Sequence, residues 1–113
     1  MPEPIESLDP RLFDDLWSAE VEAEVKALKG PILIIGASGF IGARLFFSLA
    51  RRRNDVFAAS RDPGAGWRFA RRPSFFNEKQ LVSLDITRED QVRDLFASLK
   101  PRTIFNLSAY GAY

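Results

Sequence analysis

The stretch Gly30-Pro-Ile-Leu-Ile-Ile-Gly-Ala-Ser-Gly-Phe-Ile-Gly42 decides how the rest of the chain reads. Ile32 to Ile35 is a continuous apolar run bounded by Pro31 and Gly36. A run this short and this rich in β-branched residues predicts a strand buried on both faces, as in a parallel sheet. From Phe40 the apolar period changes. Ile41, Leu45 and Leu49 form one helical stripe, Phe46 widens it, and Arg51, Arg52 and Arg53 suit the negative end of a helix running to residue 53.

Between strand and helix stand Gly36, Gly39 and Gly42. A parallel strand that ends at glycine and turns tightly into a helix is where a pyrophosphate binds. Gly36 permits the turn, Gly39 leaves the backbone open to the phosphates, and Gly42 lets the helix lie close on the strand. The free amides near residues 39–42 and the positive helix end face the anion, and Ser38 offers a hydroxyl. The spacing is G-x-x-G-x-x-G, not the G-x-G-x-x-G of many dinucleotide folds.

Working outward, Asp55 to Ser60 predicts a second strand and Leu81 to Leu84 a third. Thr87 to Asp90 reads as a capping box with Asp in place of Glu or Gln, opening a helix through Val92, Leu95, Phe96 and Leu99. Thr103 to Leu107 predicts a fourth strand. Residues 61–79 read as a long loop with room for a short helical turn. On the N-terminal side, Asp9 caps and Pro10 starts an amphipathic helix over residues 10–28, with Phe13, Trp17, Val21 and Val25 at four-residue steps. Its polar face carries Asp15, Glu22 and Lys26. Strands alternating with helices imply right-handed parallel crossovers and an α/β fold.

Composition narrows the function classes. The chain has 113 residues, enough for one domain, 46% of them hydrophobic and 27% charged. A net charge of +1 supplies no strong field toward nucleic acid or a membrane surface. There is no cysteine and no histidine, which removes disulfides, thiolate metal sites and the commonest general base. No apolar run reaches the roughly 20 residues of a membrane helix, and the acidic N-terminus lacks a signal-peptide pattern. A cytoplasmic protein is the default expectation.

Three motifs carry a family resemblance. "ILIIGASGFIGARL" resembles the N-terminal fingerprint of the extended short-chain dehydrogenase/reductases, the NAD-dependent epimerase/dehydratase family. "VSLDIT" at 82–87 is similar to that family's third strand, and "KPRTIFNLSA" at 100–109 to its fourth. The resemblance spans residues 31–110. It implies the N-terminal part of a Rossmann doubly wound parallel sheet of about four strands, order 3-2-1-4, with an extra N-terminal helix. The domains expected are an N-terminal tail and helix (1–30) and an NAD(P)-binding Rossmann domain (31–113).

The resemblance also implies the site. Gly36, Ser38, Gly39, Phe40, Ile41 and Gly42 would hold the pyrophosphate, Asp85 and Ile86 would flank the adenine, and Leu107, Ser108 and Ala109 would line the nicotinamide-side ribose. Asn106, where the family commonly has His, is free to bond to neighbouring backbone instead. Ser60 and Arg61 fall where the second strand meets the adenosine ribose. An acid there indicates NAD, whereas Arg61 can pair with a 2′-phosphate, so NADP is preferred and NAD kept open. The plain alternative is that Arg61 is a solvated loop charge. Arg68, Arg71 and Arg72, with Trp67 and Phe69, read as a solvated basic loop.

The family's chemistry uses a Tyr-x-x-x-Lys pair, and no such pair occurs in these residues. The expectation is therefore an inactive cofactor-binding fragment of an enzyme acting on a nucleotide sugar. A substrate would engage only a full-length parent. The alternative is a non-catalytic dinucleotide sensor. A fourth strand with a free edge raises self-association as a possibility.

Overall fold

The computed structural model describes residues 17–37, 40–62 and 76–108. Four parallel strands form one sheet in the order β3-β2-β1-β4. They are β1 (Ile32–Ile35), β2 (Val56–Ser60), β3 (Leu81–Ser83) and β4 (Thr103–Asn106). Among the described residues three α-helices accompany them: α1 (Ala19–Ala27), α2 (Phe40–Ala50) and α3 (Glu89–Leu99). This is the expected α/β architecture with its N-terminal helix.

Every residue of β1 is buried, because helices cover both faces of the strand. Ile32 and Ile34 face the layer that holds α1 and α2, where they meet Val56, Ala58, Phe46, Phe47 and Leu49. Leu33 and Ile35 face α3, whose Val92, Leu95, Phe96 and Leu99 pack against them. Full burial of an Ile or Leu side chain contributes about 1.5–3 kcal/mol, so this four-residue strand anchors both cores. Phe76 closes the first core edge-on to Phe46, with ring centroids 4.9 Å apart.

The N-terminal helix differs from expectation. Ser18 is extended (φ −68°, ψ 164°) and its hydroxyl accepts from the Val21 N–H at 3.2 Å. A helix therefore starts at Ala19 and does not run unbroken through Trp17 and Ser18; the serine satisfies one of the orphan amides of the first turn. The expected cap at Asp9 and Pro10, and Phe13, lie outside the described residues. Val25 is buried but Val21 is exposed. Glu22, assigned to the polar face, instead receives both of its hydrogen bonds from Arg52 Nε, at 2.9 and 3.0 Å.

Two other helix readings are corrected. In α2 the buried apolar side chains are those of Ala43, Phe46, Phe47, Leu49 and Ala50, while Ile41 is 69% exposed. Ile41 sits in the first turn, past the edge of the layer beneath. At α3 no capping box forms around Thr87: the N-cap is Arg88, without a side-chain cap bond. Thr87 Oγ1 donates instead to the Asp85 carboxylate at 2.6 Å, a charge-assisted bond stronger than a cap to a neutral amide. A reciprocal capping box does occur at Asn77 and Gln80, opening a 3-10 turn (Glu78–Gln80) at the end of the expected loop. The buried Gln80 amide also donates to Val56 O at 2.9 Å and ties that turn to β2.

Candidate functional site

The carboxyl ends of all four strands point the same way, as parallel pairing requires. β1 is flanked by β2 on one side and β4 on the other, so consecutive connections leave it in opposite directions. The crevice at such a switch point is where open α/β sheets bind ligands.

Gly36 ends β1 with φ +81°, in the left-handed region that favours glycine. A Cβ here would stand 2.7 Å from Ser108 N and 2.9 Å from the Leu107 carbonyl carbon. The turn is pinned from β2, since Gly36 N–H and Ala37 N–H both donate to Ala59 O, at 3.0 and 3.2 Å. Gly42 completes the arrangement from the first turn of α2. A Cβ on it would lie 2.3 Å from Gly36 O and 2.8 Å from Ala37 Cα. Only a residue without a side chain lets the helix sit this close to the strand end. Phe40 and Ile41 begin α2 beside it. Ser38 and Gly39 lie outside the described residues.

On the β2 side, Ser60 ends the strand and is 8% exposed. Its Oγ is the buried side-chain polar atom without a hydrogen-bond partner among the described residues. Buried hydroxyls are nearly always paired, so an orphan needs a cause. Arg61 follows with its side chain 70% exposed, its Nε 4.0 Å from Asp85 Oδ1. Its carbonyl accepts from Ser83 Oγ at 2.8 Å, which fixes the backbone at the strand end.

Asp85 stands past the end of β3. Its backbone N–H donates to Gln91 Oε1 at 2.9 Å, and its Oδ1 accepts from Thr87 N–H at 3.0 Å as well as from the Thr87 hydroxyl. The Thr87 hydroxyl, then the Thr87 amide, with smaller help from Arg61 and Arg88, hold its carboxyl below the usual aspartate range, so it is a carboxylate near neutral pH. Ile86 beside it is exposed.

On the β4 side, Leu107 N–H donates to Ile35 O at 2.8 Å. Ser108 then folds back so that its N–H and hydroxyl both donate to Asn106 Oδ1, at 3.1 and 2.5 Å. Asn106 does bond to neighbouring backbone, as its polarity suggested. Leu107 is exposed, and Ala109 lies outside the described residues. The sites named from sequence thus collect at one edge of the sheet, in the order Asp85, Arg61 and Ser60, Gly36 and Gly42, then Ser108. The basic residues Arg68, Arg71 and Arg72, with Trp67 and Phe69, lie outside the described residues.

A family model described as the NAD dependent epimerase/dehydratase family matches residues 32–113. The chain belongs to that family. No curated protein and no solved structure matches the chain significantly. Membership in the epimerase/dehydratase family implies a nicotinamide dinucleotide cofactor, and the residues present fit one. Gly36 leaves the end of β1 without a side chain where a diphosphate approaches, and Ser60 holds an unspent buried hydroxyl where the adenosine half would lie. No helix among the described residues is long and apolar enough to cross a membrane.

Proposed function

We propose that this chain is the NAD(P)-binding portion of an epimerase/dehydratase-type oxidoreductase whose parent acts on a nucleotide-sugar-like substrate, and that NADP is its preferred cofactor. The domain division follows the same reading, with the Rossmann unit at 31–113 and the N-terminal segment at 1–30. One observation carries the proposal: a Cβ on Gly42 would meet Gly36 O, so the end of β1 and the start of α2 lie backbone to backbone at the switch point of the sheet.

Gly36, Ser38, Gly39, Phe40, Ile41 and Gly42 would then bind the diphosphate through backbone amides and the α2 N-terminus. Ser60 would give its free hydroxyl to the adenosine ribose. Arg61, exposed and anchored through its carbonyl, would fork onto a 2′-phosphate. Asp85 and Ile86 would flank the adenine, and Leu107, Ser108 and Ala109 the second ribose. When bound, the nicotinamide supplies hydride transfer at its C4. Because these residues hold neither histidine nor a Tyr-x-x-x-Lys pair to move the accompanying proton, the chain binds cofactor without turning substrate over.

Calorimetric titration of the chain with NADP⁺ and NAD⁺ tests the reading. NADP⁺ binds more tightly, and Arg61→Ala weakens it about tenfold while leaving NAD⁺ unchanged. Tighter NAD⁺ binding overturns the preference, and binding of neither overturns the reading itself. Oxidation of NADPH by this chain with a nucleotide sugar would refute the claim of inactivity.

A further inference from the structure

Asp85 leaves the sheet at an edge. Leu84 N–H donates to Ser60 O, so the next amide along the chain, that of Asp85, points away from β2, where β3 has no neighbouring strand. A ladder offers that amide no partner. Gln91 supplies one: its Oε1 accepts from Asp85 N–H at 2.9 Å, in a half-buried contact. Gln91 is the third residue of α3, a place from which the glutamine of a capping box turns back to the N-cap amide. Here that amide, on Arg88, is spent on Asp85 O at 3.0 Å. Gln91 reaches past it and takes the amide of Asp85 itself. Both backbone groups of Asp85 are thus tied to the start of α3.

That anchorage decides what the carboxylate can offer. Oδ1 accepts from the Thr87 amide and hydroxyl and is the oxygen nearer to Arg61. Among the described residues nothing donates to Oδ2. Thr87 stands two residues on and moves with Asp85, so it fixes the carboxylate only against its own backbone. Gln91 is the side chain that fixes this backbone against the body of α3. A carboxylate oxygen can only accept, so Oδ2 favours an N–H and repels a carbonyl.

We propose that Gln91 is a positioning residue for base selection: by holding the Asp85 amide it keeps Asp85 Oδ2 aimed at the exocyclic amine of the base, and so sets the preference for a 6-amino over a 6-oxo purine. Gln91 touches no ligand, and the proposal rests on the dinucleotide reading above, which puts Asp85 beside the adenine. With the amide held, Oδ2 is oriented before the base arrives, and little ordering is left to be done on binding. With the amide released, Asp85 and Thr87 swing together, and the oxygen no longer distinguishes an amine from a carbonyl.

ADP and inosine diphosphate isolate this effect, since they share diphosphate and ribose and differ in the base, with an amine against a carbonyl at its 6-position. In calorimetry the 113-residue chain binds ADP about tenfold more tightly, the worth of one hydrogen bond to a charged group. Gln91→Leu brings that ratio below about threefold and leaves inosine diphosphate within about twofold of wild type. Gln91→Glu keeps an acceptor oxygen at the same reach and restores the ratio. In an Asp85→Ala background Gln91→Leu changes the ratio no further, because it acts only through Asp85. Thermal melts of each variant check that the fold is kept. A glutamine that merely supported the loop would weaken both ligands together when replaced, and that result overturns the proposal. So does a ratio that survives Gln91→Leu, a ratio lost in folded Gln91→Glu, or equal binding of the two ligands by the wild type. If the wild type binds neither ligand, the dinucleotide reading itself has failed and this proposal falls with it.

Discussion

The two ends of the sheet are built from the same four strands and treat polar groups in opposite ways. At the amino ends, Arg53 spends four of the five N–H donors of its guanidinium. Nε and Nη2 fork onto Asp55 at 2.9 and 2.7 Å, and Nη1 donates to Val25 O and Leu28 O, both at 2.7 Å. It thereby caps the C-terminal carbonyls of α1, which a helix leaves unsatisfied. Gly30 fits against Asp55 with no room for a side chain, and Thr103 Oγ1 donates to Lys29 O at 2.6 Å. At the carboxyl ends, neither Ser60 Oγ nor Asn106 Nδ2 has a partner among the described residues, and Ile41, Ile86 and Leu107 are exposed. A saturated end holds the fold together. An unsaturated end has bonding capacity left for something else.

The sharpest way to break this contrast is at Gly42. Gly42→Ala puts a methyl 2.3 Å from Gly36 O, and neither backbone can retreat without unseating α2 or β1. A loss of about 3 kcal/mol or more is expected in urea denaturation, at the upper end of overpacking costs. An unchanged midpoint would mean that helix and strand are not in backbone contact. Next comes Arg53→Ala, which strands two carbonyls and a half-buried carboxylate at once and costs about 2–4 kcal/mol. Arg53→Lys recovers only part, since an ammonium cannot fork onto Asp55 while reaching both carbonyls. Dinucleotide affinity per folded molecule is expected to stay unchanged in both Arg53 variants, because the proposed cofactor residues lie at the opposite end of the strands. A loss of affinity with stability intact would invert the assignment of the two ends.

Ser60→Ala makes the complementary case. Its hydroxyl bonds to nothing among the described residues, so its removal shifts stability by less than about 0.5 kcal/mol and can raise it, since an unpaired buried polar group is a cost. Dinucleotide binding falls by about three- to tenfold, the worth of one hydrogen bond. A stability loss above 1 kcal/mol, roughly that of a native hydrogen bond, would show that Ser60 is structural after all.

How much of this could be read in advance depended on range along the chain. β1 was legible because isoleucine and leucine at four successive positions fit only a strand covered on both sides. The glycine turn was legible because its spacing is local and Gly42 meets Gly36 six residues away, whereas the approach of Ser108 to Gly36 from the far end of the chain left no local signal. Alternation and handedness pointed to a parallel sheet, and the order of its strands came with the family resemblance. Periodicity finds a helix but does not say which edge of the stripe the sheet reaches, which is why Val21 and Ile41 were expected inside and are exposed. Thr87 looked like a cap because spacing cannot reveal that Asp85, two residues earlier, competes for its hydroxyl. The capping box at Asn77 and Gln80 had its local signature in plain view, inside a segment read only as loop. The Arg53 bridge had none, since its partners Val25 and Leu28 lie 28 and 25 residues away.

The smallest expected effect tests whether Asp85 belongs to the unsaturated end. Its carboxylate is gripped from one side, by the Thr87 hydroxyl and amide, and its folded pKa lies below the ordinary value. The stabilisation from a depressed aspartate is present above its unfolded pKa, about 3.9, and is lost as pH falls through the lower folded value. Thr87→Val removes the largest cause of that depression. Urea midpoints of wild type and Thr87→Val should therefore differ by a small, constant amount from about pH 5 to 8 and converge below about pH 4. The gap must be small, because Asp85 is open to solvent and water can replace the threonine hydroxyl. A gap that widens toward acid would mean that Thr87 stabilises the neutral acid instead. A constant gap would leave Asp85 ionised and available to a ligand over the whole physiological range, as the carboxyl-end reading requires.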